Sequence, residues 1–101
     1  MHVIMDIMVS PGGVGISVSP YVAHCQKIFK EAGLNYNMHS YGTNVEGEWD
    51  EVMAAVKRCH TDLHEMGAVR ITSHMKVGTR TDREQTMQDK IDSVNEKLST
   101  Q

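Results

Sequence analysis

Alternation of apolar and polar side chains at the start of the chain predicts a β-strand over residues 2–9. Successive strand side chains point to opposite faces, one with Val3, Met5, Ile7 and Val9 and the other with Ile4, Asp6 and Met8. Because both sets are mostly apolar, we expect this strand to lie in the centre of a sheet.

The stretch PGGVGISVSP, residues 11–20, predicts a loop that leads into a first helix. Ser19 is predicted to cap this helix, and Pro20 suits its first position. Apolar side chains then recur with helical spacing at Tyr21, Val22, Cys25, Ile28, Phe29 and Ala32. Gly33 is the expected end of the helix.

Alternating patterns over 34–41 and 43–47 predict two further strands joined as a hairpin. A second helix is predicted from about Glu48 to Gly67. Its apolar stripe consists of Trp49, Val52, Met53, Val56, Cys59, Leu63 and Met66. We expect Trp49 to pack in the core, as large aromatic side chains usually do, and the alternative is that it stacks on an aromatic ligand at the 42–46 hairpin.

The last strand is predicted over 68–77, and a third helix over 82–98. The resulting order, βαββαβ with a terminal helix, predicts an α+β fold of the ferredoxin-like type in a single domain, residues 1–101. Its sheet would be antiparallel and four-stranded in the order 4-1-3-2, with the first two helices on one face.

The other sheet face would mix apolar and charged groups, among them Ile4, Met8, Asp6 and Glu46. Because apolar residues at the centre of a sheet face rarely stay exposed to water, we expect this face to pack against another copy of the chain. The narrow apolar stripe of helix 82–98 is a second expected interface.

Charge and composition reduce the number of possible functional classes. The net charge of −3 and pI near 6.0 give no basic patch for nucleic acid. No apolar run is long enough for a membrane span, and no leader sequence is evident. Two cysteines, Cys25 and Cys59, without a secretion signal favour a cytoplasmic protein with free thiols packed in the core.

The glycine loop lacks the lysine of a Walker motif and the third glycine of a dinucleotide fingerprint. A simple connector remains one interpretation. Because free N–H groups accompany a helix start, Ser17 and Ser19 could instead border a small polar ligand. His60 and His64 have the spacing of a metal pair but lack a third ligand, so no metal is expected.

Asp6 and Glu46 are predicted to lie on adjacent strands of the open sheet face. Three interpretations stay open for these carboxylates. They could form ion pairs at an interface, hold a cationic or amino-bearing ligand, or act as an acid and a base in catalysis. No nucleophile or cofactor loop accompanies them, which disfavours the third.

Three stretches together resemble the small thiamine-binding protein family, with its yeast-type members most alike. These are PGGVGISVSPYVAHC (11–25), HSYGTNVEGEWDEVMAAVKRCH (39–60) and VRITSHMKVGTRTDREQTMQDKID (69–92). The resemblance covers nearly the whole chain. It implies a ferredoxin-like fold, dimers that pair into tetramers, and binding of thiamine or its hydroxymethylpyrimidine moiety without catalysis or a cofactor.

The family motifs correspond, position by position, to the candidate ligand residues Ser17, Ser19, Gly42, Thr43 and Glu46, with Asp6 as a helper. In this interpretation Glu46 accepts from the amine of the aminopyrimidine and Thr43 or Ser17 pairs with a ring nitrogen. The alternative is an assembly module without a ligand, in which the polar face serves only an interface. A third hypothesis is an enzyme that uses Asp6, Glu46 and a histidine.

Overall fold

A computed structural model describes residues 1–15 and 17–101, and Ile16 lies outside this part of the chain. The described residues form four strands and three helices. In chain order these are β1 (His2–Gly12), α1 (Ser19–Glu31), β2 (Asn35–His39), β3 (Gly42–Glu48), α2 (Trp49–Glu65), β4 (Arg70–Gly78) and α3 (Met87–Ser99).

The strands form one antiparallel sheet in the order β2-β3-β1-β4, which is the predicted order read from the other edge. β1 is central, as its two apolar faces predict. In the β1–β3 register, Ile4 lies opposite Glu46 and Asp6 opposite Asn44. The predicted α+β, ferredoxin-like fold is therefore confirmed.

The core lies between one face of the sheet and helices α1 and α2. Strand and helix periodicity bring together Val3, Met5, Ile7, Val45, Ile28, Phe29, Val52, Cys59 and Leu63, each with at most 2% of its surface exposed. Cys25 is buried beside them as a free thiol, so the predicted packing of both cysteines in the core is confirmed.

The start of the predicted loop is part of the sheet. β1 continues through Gly12 because β4 is long enough to pair with it, with Pro11 opposite Ile71 and Gly12 opposite Arg70. The predicted boundary of the first strand at residue 9 is therefore too early. Only the segment between β1 and α1 remains a connector.

Ser19 is the first residue of α1 and not its cap, so that prediction is wrong. Val18 occupies the cap position, because its carbonyl oxygen already accepts the N–H groups of Tyr21 and Val22 at 3.0 and 3.1 Å. Among residues 1–15 and 17–101, no side chain forms a capping hydrogen bond with this helix. Its end agrees with the prediction, since Gly33 follows the last turn with a φ of 72°.

The third helix begins at Met87, later than the predicted residue 82. Thr86 and Asp89 form a reciprocal capping box that fixes this start. Ahead of it, the Arg80 guanidinium binds the carboxylate of Asp82 at 2.5 and 2.7 Å, which holds the segment outside a helix.

Trp49 is 38% exposed, so its predicted place in the core is wrong. It is the first residue of α2, and its backbone N–H donates to the carbonyl oxygen of Met1 at 2.9 Å at the margin of the sheet. Among the helices of the described residues, none combines the length and apolar character that a membrane crossing requires.

Candidate functional site

Glu46 is a buried carboxylate on the sheet face opposite α1 and α2, with 6% of its surface exposed. Its Oε1 accepts from Asn35 Nδ2 at 2.7 Å, and its Oε2 accepts from the backbone N–H of Met87 at 2.8 Å. His2 Nε2 lies 3.4 Å from Oε2. Glu46 therefore connects β2, β3 and the start of α3.

Asp6 lies on the same sheet face as Glu46, as the alternation predicts. Its Oδ1 accepts from His39 Nε2 at 2.6 Å and, at 3.5 Å, from Asn44 Nδ2. Half of the Asp6 side chain is exposed. This carboxylate is therefore accessible to solvent, whereas that of Glu46 is not.

A groove of about 1010 Å³ lies on this face, between the sheet and the segment that precedes α3. Ile4, Asp6 and Asn44 line its floor. Four cationic side chains also line the groove: Lys76 on β4, Arg80 and Arg83 before α3, and Lys90 on α3. Arg80 is paired with the carboxylate of Asp82, and this contact holds the pKa of Asp82 down to about 2.

Thr43 faces the opposite side of the sheet, toward α1. It is 5% exposed, and its Oγ1 accepts from Gln26 Nε2 at 2.8 Å. The other polar atom of this amide, Gln26 Oε1, is buried without a hydrogen-bond partner among residues 1–15 and 17–101. An unpaired buried carbonyl oxygen is costly, so this atom is a candidate for an acceptor that meets a ligand.

Gly42 allows the backbone to approach closely at this end of the sheet. A Cβ at this position would lie 2.6 Å from the carbonyl oxygen of Ile7 and 3.3 Å from the His39 ring. Glycine therefore allows β3 to begin directly beside β1, with Thr43 opposite Ile7.

Ser17 and Ser19 are both exposed. They lie at the start of α1, the helix that carries Gln26. In the described part of the chain, neither serine is hydrogen-bonded to Thr43 or Glu46. Because β3 runs antiparallel to β1, its first residues and the start of α1 share one end of the sheet.

The structure therefore divides the predicted residues into two groups. Gly42 and Thr43 lie at the end of the sheet where α1 starts, and Asp6 and Glu46 lie on the open face. Sequence reasoning did not identify Gln26. Its signal is a polar side chain within the apolar stripe of α1, between Cys25 and Phe29.

The histidines of α2 serve local contacts. His60 Nε2 lies 2.5 Å from the Ser73 hydroxyl, and His64 Nδ1 donates to the carbonyl oxygen of Ala68 at 2.8 Å. Across residues 1–15 and 17–101, no three His, Cys, Asp or Glu side chains are close enough to hold a metal ion.

Comparison with known proteins places this geometry in context. The thiamine-binding protein family profile matches residues 5–95. A UPF0045 protein of Synechocystis is 63% identical over 94 residues, which cover 93% of this chain and 78% of that one. The UPF0045 protein ECM15 of Eremothecium gossypii is 48% identical over 100 residues, 98% of this chain and 95% of that one.

Solved structures share the fold. The hypothetical protein MJ1052 of Methanocaldococcus jannaschii has a TM-score of 0.86 at 32% identity, with 94% of this chain and 97% of that chain covered. A Thermotoga maritima protein provisionally assigned to thiamine biosynthesis or salvage has a TM-score of 0.79 at 21% identity, with 93% and 99% covered. With most of its length matched by the family profile, the chain belongs to the thiamine-binding protein family.

Proposed function

We propose that this protein binds thiamine or a related hydroxymethylpyrimidine compound and does not transform it. The single observation that carries the proposal is the unpaired Gln26 Oε1 beside the buried Thr43 hydroxyl. Membership of the thiamine-binding protein family supports the choice of ligand.

An aminopyrimidine is complementary to this pair of groups. Its exocyclic amine is a donor, and the adjacent ring nitrogen is an acceptor. Gln26 Oε1 would accept from the amine. The Thr43 oxygen already accepts from Gln26 Nε2, so its own hydrogen remains available for the ring nitrogen.

The energies are of the required size. Each neutral hydrogen bond contributes about 0.5–1.5 kcal/mol net, and satisfying a buried acceptor removes a penalty of about 1–3 kcal/mol. Micromolar affinity corresponds to about −8 kcal/mol, so burial of the ring and of the thiazolium must supply the remainder.

In this proposal the predicted site residues have different roles. Gly42 and Thr43 shape the ligand end of the sheet, and Ser17 and Ser19 border it from the loop. Gln26 takes the amine-accepting role predicted for Glu46, because both oxygens of Glu46 already accept hydrogen bonds within the chain. Asp6, on the other side of the sheet, contributes to the overall charge.

Calorimetric titration with thiamine and with hydroxymethylpyrimidine tests the proposal. We expect saturable micromolar binding, weakened at least tenfold in Gln26→Leu and unchanged in Lys27→Leu, its exposed neighbour. A thiamine analogue with a carbonyl oxygen in place of the 4-amino group should bind the wild type as weakly as thiamine binds Gln26→Leu. In that complex the carbonyl oxygen of the analogue would face Gln26 Oε1, and both are acceptors.

Two results would contradict the proposal in different ways. Absence of heat and of thermal stabilisation at millimolar ligand would favour the assembly module without a ligand. Binding that Gln26→Leu leaves unchanged would keep the function and move the site, most simply to the groove beside Asp6.

We further propose that the protein is a cytoplasmic homo-oligomer. Its two free thiols suit a reducing compartment. On α3, Ile91, Val94 and Leu98 are 50–59% exposed along one face of the helix. Such a stripe supports association of copies of the chain, and dimers that pair into tetramers are the expected form.

A further inference from the structure

The thiols of Cys25 on α1 and Cys59 on α2 are buried, and the proposed ligand site does not involve them. The two helices run antiparallel where they pack together. On one side of the two cysteines, His24 Nε2 donates to Asp62 Oδ2 at 2.8 Å. On the other side, Ile28 of α1 and Ala55 of α2 line a shared groove. The register between these contacts places Cys25 opposite Cys59.

The spacing of packed helices suits a disulfide. Helix axes approach to about 8–10 Å, and Cα atoms lie about 2.3 Å from each axis. Directly facing Cα atoms are therefore roughly 3.4–5.4 Å apart. The upper half of this range overlaps the separation of about 4.4–6.8 Å that a disulfide spans. Each cysteine is the largest influence on the pKa of the other, as expected of two neighbouring thiols.

We propose that Cys25 and Cys59 form a reversible intramolecular disulfide that cross-links α1 to α2 when the protein meets a small-molecule disulfide. One thiolate attacks the small disulfide, forms a mixed disulfide and releases one small thiol. The second thiolate attacks the protein sulfur of that mixed disulfide and releases the other. Two protein thiols lose two protons and two electrons, and the small disulfide is reduced to two thiols.

Cys25 is the thiol that attacks first. It is 4% exposed, whereas Cys59 is fully buried. The neighbouring Cys59 thiol lowers the pKa of Cys25, whereas the Cys25 thiol and burial raise the pKa of Cys59. The groove of about 290 Å³ between the helices, lined by Ile28 and Ala55 among others, lies beside the pair but does not include either thiol, so the reaction needs a local opening of the α1–α2 contact.

Oxidation of the folded protein with glutathione disulfide tests the proposal by intact mass and free-thiol titration. We expect both thiols to disappear, with a mass loss of two hydrogens and no adduct, and dithiothreitol to restore them. Far-UV circular dichroism during the reaction should remain native. The cross-link should raise the midpoint of thermal unfolding, since it restricts the unfolded chain.

Cys59→Ser separates the two steps. This variant should stop at one glutathionyl adduct, because the resolving thiol is gone, while Cys25→Ser should react much more slowly than either. The proposal is overturned if the folded wild type keeps two free thiols, accumulates adducts, or forms disulfides only between chains. The proposal is also overturned if the disulfide forms only at denaturant concentrations that unfold the protein. This measurement uses the wild type alone.

Discussion

The backbone N–H of Met87 donates to Glu46 Oε2 at 2.8 Å and so joins β3 to the first residue of α3, 41 positions further along the chain. Met87 is itself buried, while the apolar residues that follow it on α3 are exposed. This contact therefore anchors the start of a helix whose remaining length extends away from the sheet, in a molecule measuring 49 × 30 × 20 Å.

Glu46→Gln should destabilise the protein. The neutral amide keeps one acceptor oxygen, so the Asn35 amide must turn over to remain paired, and the bond from the Met87 N–H loses its charged acceptor. We expect a loss of about 1–3 kcal/mol in the free energy of unfolding. Urea denaturation measures it, and hydrogen exchange at the Met87 amide should accelerate.

The matched control is Glu48→Gln, on the same strand but exposed. It should change stability little. Equal effects of the two substitutions would show that the buried contact with Met87 contributes no more to the free energy of unfolding than the exposed Glu48 carboxylate does.

Gly42→Ala should also destabilise the fold, here through a steric clash. The new Cβ would lie 2.6 Å from the backbone oxygen of Ile7, which cannot move without disturbing β1. Overpacking of this kind costs about 1–3 kcal/mol. Gly78→Ala is the control, because its Cβ would lie 3.9 Å from the nearest atom, the backbone oxygen of Ile4. Similar thermal midpoints for both variants would contradict the prediction.

Asp62 should make stability fall in acid. The hydrogen bond from His24, and then the charge of Arg58, hold the pKa of Asp62 below its ordinary value of 3.8. A carboxylate with a lowered pKa in the folded state stabilises the protein above its unfolded pKa. That contribution disappears as pH falls through the folded value.

Asp62→Asn should therefore be less stable than the wild type above about pH 5, and the two should converge only as the pH falls below the lowered pKa of Asp62 in the folded state. Urea midpoints measured across this range test the prediction. Glu65→Gln, at an exposed carboxylate on the same helix, should not produce this convergence. A constant difference between wild type and Asp62→Asn at every pH would show that packing, and not charge, is responsible.

Val94→Glu should weaken self-association. It places a charge within the exposed apolar stripe of α3, where Val94 is 59% exposed. Sedimentation velocity should show a shift toward smaller species. Asn95→Glu adds the same charge at the next residue, outside the stripe, and should leave assembly unchanged. A wild type that is monomeric at micromolar concentration would remove the basis of this prediction.

The sequence pattern predicts the sheet order, the central strand and the buried cysteines. These features follow from the spacing of apolar side chains, which recur every 2 residues in a strand and every 3.6 residues in a helix. It misplaces the beginning of α3, since polar residues 82–86 are compatible with either a helix or a loop. There the side-chain contacts of Arg80 and Thr86 decide the outcome, and they depend on local geometry.

The candidate site was only partly predictable for a related reason. Alternation assigns Thr43 and Glu46 to opposite faces, but it says nothing of what each side chain meets there. Glu46 meets Met87, and Thr43 meets Gln26, through tertiary contacts across 41 and 17 positions of the chain. Family motifs identify positions and not partners, which is why Gln26 was missed.

The central place of β1 has a consequence for how the chain is made. Its residues are translated before those of β3 and β4, yet one of its two edges is paired only when β4 has been synthesised. Until then the nascent chain carries a long apolar strand with an open edge, a state prone to association with other strands. Although β1 precedes the other three strands of this sheet, its pairing is completed only with the last of them, and we expect chaperone contacts during synthesis to concentrate on its residues.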